Sequence, residues 1–213
     1  MIKSILKDTL ILCLITLVCG ALLGEVYSIT KDPIEQVSYL QTQDSYKAVL
    51  QDAESFDEAP SLNKLVDAQE DILQGQNFGK NGVTIDNCLA ATKNDELVGH
   101  IITTTTHDGY GGDITIVVGI NTSGEIEGIE ILSIDETVGL GMRAKSDSSF
   151  RQQFLNKSIE HYTLTKTGST SEDEVDALSG ATITSTAFTN AVNATVYFYN
   201  NGIGGASKWL KDV

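Results

Sequence analysis

Four β-rich runs follow one another between residues 84 and 134 with very little chain between them. Thr84–Thr92, Leu97–Thr106, Asp113–Ile120 and Ile126–Ile134 are rich in Val, Ile and Thr. Asn94-Asp95, Gly109-Tyr110-Gly111-Gly112 and Asn121-Thr122-Ser123-Gly124 punctuate them as turns. Parallel neighbours need crossover connections of about a dozen residues or more, and none of these gaps has room for one. The runs therefore specify an antiparallel meander, a curved sheet that needs a cover for its apolar face. Near the other end of the chain a helical pattern runs from Thr184 to about Asn201. Its apolar positions are Ile183, Phe188, Ala191, Val192, Thr195, Val196 and Tyr199, with Gly202 as a stop. Phe150–Phe154 reads as a short helix and Tyr162–Thr165 as a short strand, so the class is α+β with one antiparallel sheet and packed helices.

The N-terminus is a different material. Thr9 to Gly24 carries no charge, and Ile2, Ile5, Leu6, Val26 and Ile29 extend its apolar surface to the length of about 20 residues that spans a bilayer. Lys3 and Lys7 ahead of the run would also suit a cleaved signal peptide, but Cys19-Gly20-Ala21 is followed by more Leu and Val rather than a polar mature start. The run reads as an uncleaved transmembrane helix, and the two lysines place its N-terminus on the cytoplasmic side. Asp32-Pro33 marks a break. Ile34 to Ala53 then reads as a juxtamembrane helix with Val37, Leu40, Val49 and Leu50 as apolar positions, and Phe56 to Gly79 as acidic helix and loop. By texture the chain divides into an anchor (1–30), a juxtamembrane helical and acidic segment (31–82) and a domain (83–213).

A net charge of −15 with only 14 Lys and Arg leaves no basic stripe for nucleic acid. Cys13, Cys19 and Cys88 show no CxxC or zinc spacing. His100 and His107 fall on opposite faces of one run, and His161 is isolated, so no metal set forms. No Ser/His/Asp or Cys/His hydrolytic set can be assembled either. Gly139-Leu140-Gly141-Met142-Arg143-Ala144 fits the relaxed dinucleotide pattern, yet hairpin-linked strands are the wrong setting for it, and Lys145 to Ser149 is too polar to open a packed helix. Gly109-Tyr110-Gly111-Gly112 is a turn before a strand. Its tyrosine is able to stack on a ring, although turns with tyrosine are common.

Ser179-Gly180-Ala181-Thr182-Ile183-Thr184-Ser185-Thr186 is the most chemically suggestive segment. A helix start presents unpaired N–H groups and the positive end of the macrodipole, which suits a phosphate. Here it also holds a threonine hydroxyl that a phosphate could esterify. The alternative is plain helix capping by Ser and Thr.

Taken together, four features resemble the FMN-binding domain family, and within it the G subunit of Rnf-type electron-transport complexes. They are the anchor running into Tyr27-Ser28-Ile29-Thr30-Lys31-Asp32-Pro33-Ile34, Gly109-Tyr110-Gly111-Gly112 leading into Ile116–Ile120, Glu136-Thr137-Val138-Gly139-Leu140-Gly141, and Asp176-Ala177-Leu178-Ser179-Gly180-Ala181-Thr182. Val138 departs from the proline usual in the third. The resemblance implies FMN joined by a phosphoester to Thr182 by a separate flavin transferase. Ser179, Gly180, Ala181, Thr184 and Asp176 would surround the phosphate, and Glu136, Thr137, Gly139, Leu140, Gly141 and Met142 would form the flavin loop, with Leu140 and Met142 against the ring. It further implies an inner-membrane, single-pass electron-transfer subunit with its FMN domain outside the cytoplasm. Such a protein would relay electrons among membrane, iron–sulfur and flavin subunits during ferredoxin:NAD⁺ oxidoreduction coupled to Na⁺ or H⁺ transport, with no catalysis by itself. The alternatives are the C subunit of a sodium-translocating NADH:quinone oxidoreductase, which shares the domain, or a tethered binding module whose Ser-Gly-Ala-Thr is only a cap.

Overall fold

The computed structural model of the chain describes residues 2–204, so the last nine positions of the sequence-based domain lie outside the described residues. These divide into two compact units at Gln43/Asp44. The first unit is most of helix α1 (Ile2–Val49), which is apolar and long enough to cross a membrane. Leu10, Leu17, Leu23 and Val26 are all exposed, as befits a helix apolar on every side. The expected break at Asp32-Pro33 does not occur, because Pro33 sits inside the continuous helix. Proline removes one hydrogen bond and keeps a helical φ, and one missing rung does not end so long a ladder.

The second unit contains the meander. Its strands are β1 (Ser55–Asp57), β2 (Val83–Lys93), β3 (Glu96–Thr106), β4 (Ile114–Asn121) and β5 (Ile126–Ile134), in that order and all antiparallel. Asn94 and Asp95 close the β2–β3 hairpin with φ of 51° and 64°, the two left-handed residues that a type I′ turn requires. β1 lies where helix and loop were expected; three residues carry no readable alternation. Between β1 and β2 come α2 (Pro60–Asp67) and α3 (Gln69–Ile72), which bury Leu62, Leu65 and Ile72. Residues 31–82 therefore form no unit of their own: from Asp44 onward they belong to the sheet domain.

After β5 the chain makes α4 (Arg143–Ser146) and α5 (Ser148–Gln152). The polar 145–149 stretch thus does carry helix, in two short pieces. Asp147 divides them and caps the second by accepting from Ser149 N at 3.1 Å. Two three-residue strands, β6 (Thr163–Thr165) and β7 (Glu174–Asp176), pair in parallel. Helix α6 (Thr182–Phe198) runs on into a π-helical turn (Tyr199–Ile203), so it begins two residues earlier than its apolar period suggests. The α6 side of the sheet presents Ile102, Ile114, Ile116, Val118 and Ile120 to Phe188, Ala191, Val192 and Val196. One hydroxyl pair, Thr104–Thr195 at 2.7 Å, is buried among them. Leu89, Ala91, Ile101 and Val117 face the other way, against Tyr46, Val49, Leu50 and Ala53. A bulge between Ile85 and Asn87 switches the parity of β2, so that Ile85 and Cys88 join the α6 side.

Candidate functional site

Two turns of the same kind meet at the start of α6. In the first, Ala181 N donates to Leu178 O at 3.0 Å across Ser179-Gly180, with Gly180 at φ +79°. In the second, Leu140 N donates to Thr137 O at 3.1 Å across Val138-Gly139, with Gly139 at φ +81°. Both have the form of a type II turn, whose third position needs φ above zero and therefore glycine. Val138 stands at the second position, where proline is favoured but not required, so the turn forms without it. A methyl added at Gly180 would lie 3.1 Å from Leu140 Cδ2, which shows how closely the two turns pack.

Glu136 holds this arrangement together. Its side chain is 7% exposed. Oε1 accepts from Tyr110 N at 2.7 Å and Gly111 N at 3.3 Å, while Oε2 accepts from the Thr184 hydroxyl at 3.0 Å. A single carboxylate thereby joins the 109–112 loop, the 136–141 loop and the first turn of α6. Hydrogen bonds to an ionised acceptor are the stronger kind.

Between the three elements lies a cavity of about 550 Å³, lined by Tyr110, Glu136, Thr137, Leu140, Gly141, Gly180, Ala181, Thr182, Ile183 and Thr184. Small-molecule sites run roughly 300–1,000 Å³. Of the residues singled out in the sequence, the cavity gathers Glu136, Thr137, Leu140, Gly141, Gly180, Ala181, Thr182 and Thr184. Gly139 and Ser179 sit in the turns beside it, and Met142 is turned into the start of α4, its N–H donating to Thr137 O at 3.2 Å. Asp176 is in β7, 3.4 Å from the Ser169 hydroxyl. Tyr110 and Ile183 are the additions. Ile183 is exposed at the cavity rather than part of the buried face of α6.

The eight-residue segment has five hydroxyls, and the structure gives them different work. Ser185 Oγ donates to Ala181 O at 2.9 Å and accepts from Leu178 N at 3.0 Å. Thr186 donates to Thr182 O at 2.8 Å, and Thr184 is committed to Glu136. Thr182 and Ser179 hydroxyls have no partner among the described residues, and of these two only Thr182 lines the cavity. No side chain caps the helix: the cap position is Ala181, which has no side-chain acceptor to give. Ser185 N reaches Ala181 O at 2.9 Å, but the N–H groups of Thr182, Ile183 and Thr184 have no partner among the described residues. Three free amides, a free hydroxyl and an apolar wall fit a phosphate-bearing cofactor with a flat ring.

A hydroxyl–imidazole–carboxylate chain, not legible in the sequence, is present elsewhere. His107 Nε2 lies 3.0 Å from Thr84 Oγ1, and its Nδ1 lies 3.0 Å from Asp113 Oδ1. None of the three lines the cavity; the imidazole straps β2 to both ends of the loop that carries Tyr110.

Residues 109–197, which hold most of the sheet and this cavity at the start of its covering helix, match the FMN-binding domain family, and that match makes this a flavin-nucleotide-binding domain. Residues 1–49 match the RnfG N-terminal region. The G subunit of the Na⁺-translocating ferredoxin:NAD⁺ oxidoreductase complex of Acetobacterium woodii is 30% identical over 201 residues, 93% of either chain. The G subunit of the proton-translocating ferredoxin:NAD⁺ oxidoreductase complex of Clostridium ljungdahlii is 31% identical over 205 residues, 96% of this chain and 95% of that one. The C subunit of the Na⁺-translocating NADH-quinone reductase of Parabacteroides distasonis, a solved structure, is similar with a TM-score of 0.45 at 21% identity, over 59% of this chain and 63% of that one. The chain belongs to the family of G subunits of ion-translocating oxidoreductase complexes.

Proposed function

We propose that this chain is the membrane-anchored flavoprotein subunit of an Rnf-type complex, relaying electrons in ferredoxin:NAD⁺ oxidoreduction coupled to Na⁺ or H⁺ transport. FMN is carried on Thr182 Oγ1 as a phosphoester installed by a flavin transferase. The observation that carries this reading is the pairing of the Thr182 hydroxyl, which lines the cavity without a partner among the described residues, with three amides likewise unpaired at the start of a 17-residue helix. A phosphoester keeps at least one negative charge, and a helix N-terminus stabilises such a charge by about 0.3–1 kcal/mol, up to roughly 2 when partly buried. Gly180 and Ala181 leave room for the ester beside those amides, and Leu140 offers an apolar surface to the ring.

The bound flavin supplies the redox chemistry; the chain fixes its place and excludes water from one side of it. A cofactor joined to the chain does not dissociate into the surroundings. That suits a domain on the extracytoplasmic side of the inner membrane, the orientation that Lys3 and Lys7 favour. Other membrane, iron–sulfur and flavin subunits of the complex are its partners. The test is denaturing electrophoresis of the chain expressed with its flavin transferase. Ultraviolet excitation gives a fluorescent band that Thr182→Ala abolishes and Ser179→Ala retains. A dark wild-type band, or one still fluorescent in Thr182→Ala, would refute the assignment.

A further inference from the structure

Tyr110 is an unusual tyrosine for its setting. Its backbone and the loop around it are tied at several points. Its own N–H and that of Gly111 go to Glu136, Asp108 Oδ1 accepts from Asn81 N at 3.0 Å, and His107 N reaches Gly82 O at 3.2 Å. The loop is packed closely enough that a methyl at Gly111 would collide with Asp135 O. Yet the side chain held out by this fixed backbone is 70% exposed, and among the described residues it makes no ring contact with another aromatic side chain and its hydroxyl has no hydrogen-bond partner. It lines the same cavity as Leu140 and Thr182. A rigid pedestal under an unengaged aromatic ring beside a flavin-sized cavity is what a stacking platform requires: the ring gives up little freedom when a flat ligand arrives.

We propose that Tyr110 is a positioning residue that stacks on the isoalloxazine ring, with the 109–112 loop and Glu136 as its mount. The proposal rests on the FMN reading above and adds to it a specific ring contact. Offset or edge-to-face aromatic pairing contributes beyond simple area burial, and its usual range corresponds to about a 2- to 13-fold change in affinity. The ring also shields one face of the flavin, and an electron-rich phenol in contact with an excited flavin quenches its emission.

The test uses the full chain in detergent, in two forms. Unmodified chain, expressed without flavin transferase, is titrated with free FMN. Flavinylated chain, confirmed by the mass of the FMN adduct, is examined by fluorescence lifetime. Tyr110→Phe keeps the ring and binds free FMN like wild type. Tyr110→Leu keeps apolar bulk without the ring and binds about 2- to 13-fold more weakly, with a longer lifetime in the flavinylated form. Unchanged melting temperatures separate this from a folding defect. If Tyr110→Leu is flavinylated normally and matches wild type in affinity and lifetime, the stacking role is wrong while the attachment at Thr182 stands. If wild-type chain neither binds nor carries FMN, the cofactor reading itself falls, and this one with it.

Discussion

Removing Glu136 asks whether one buried side chain holds the three walls of the cavity together. The carboxylate serves Tyr110 N at 2.7 Å, Gly111 N at 3.3 Å and the Thr184 hydroxyl at 3.0 Å. Hydrogen bonds to a charged acceptor contribute about 1.5–3 kcal/mol each, but water takes over where it can reach. The two loop amides are only part-buried, so in Glu136→Ala they regain partners. The Thr184 hydroxyl is 2% exposed as part of its residue and loses its acceptor outright. The expected net loss is about 2–4 kcal/mol. For a domain of this size that lowers the melting midpoint by roughly 5–12 °C. Thermal melts of the full chain in detergent, followed by circular dichroism, measure it. Glu136→Gln keeps one acceptor oxygen and is expected to recover more than half of the loss. Thr184→Val is expected to destabilise wild type clearly and Glu136→Ala hardly at all, since the bond is already gone. If Glu136→Ala melts within about 1 °C of wild type, the carboxylate does not brace the site.

Val138→Pro restores the residue that a type II turn prefers at its second position. It is expected to raise stability by about 0.4–1 kcal/mol through the unfolded chain, read as a higher urea midpoint. Gly141→Ala places a methyl 2.5 Å from both Glu136 Oε2 and Thr184 Oγ1. It is expected to cost about 1–3 kcal/mol and weaken reversible FMN binding. Burial pushes the Cys88 thiol up to about 12, so above about pH 9 the unfolded chain loses a proton that the native one keeps. Stability is full below that pH and falls above it by up to about 1.4 kcal/mol per unit, a slope that urea melts at about pH 8 and pH 10 detect and Cys88→Ala flattens. Burial also pushes the His100 imidazole below its ordinary 6.5, and its Nδ1 has no partner among the described residues. Its contribution is whole above that pH and declines as acid protonates the unfolded chain first; melts between about pH 5 and 7 show that slope, and His100→Phe removes it.

Legibility in the sequence followed the range of the interactions involved. Asn94-Asp95 specified a hairpin because its left-handed pair is local chemistry, and the period of Phe188, Ala191, Val192 and Val196 specified a covering helix. β1 and β7 are three residues long and exist only because a neighbouring strand offers hydrogen bonds, so no pattern within them announces a strand. Pro33 suggested a break through its own chemistry, but the surrounding ladder outweighed one lost bond. In the site, Gly180 and Thr182 stood out as a local motif. The reach of Glu136 to Thr184, 48 positions away, depends on how α6 lies against the sheet. Tyr110 was visible as an aromatic in a turn, and the proposed stacking role rests on the tied backbone beneath an unengaged ring, which only the structure reveals. Asp176 and Met142 show the converse: proximity in sequence to a motif does not carry a side chain into the cavity.

If FMN is attached to Thr182 as proposed, the unequal duties of the five hydroxyls bear on fidelity of labelling. A modifying enzyme that recognises small hydroxylated residues meets Ser179, Thr182, Thr184, Ser185 and Thr186 within a span of eight positions. Three of them are withheld by prior engagement, one of the two free ones stands outside the cavity, and a single address remains. If FMN is carried on Thr182 as proposed, the fold narrows the choice inside the cavity to one of these hydroxyls, while the exposed Ser179 and Thr186 are left for the transferase to reject. On the proposed attachment, variants that release Thr184 from Glu136 are expected to offer a second hydroxyl inside the same cavity, and adduct mapping by peptide mass would find the flavin divided between two threonines.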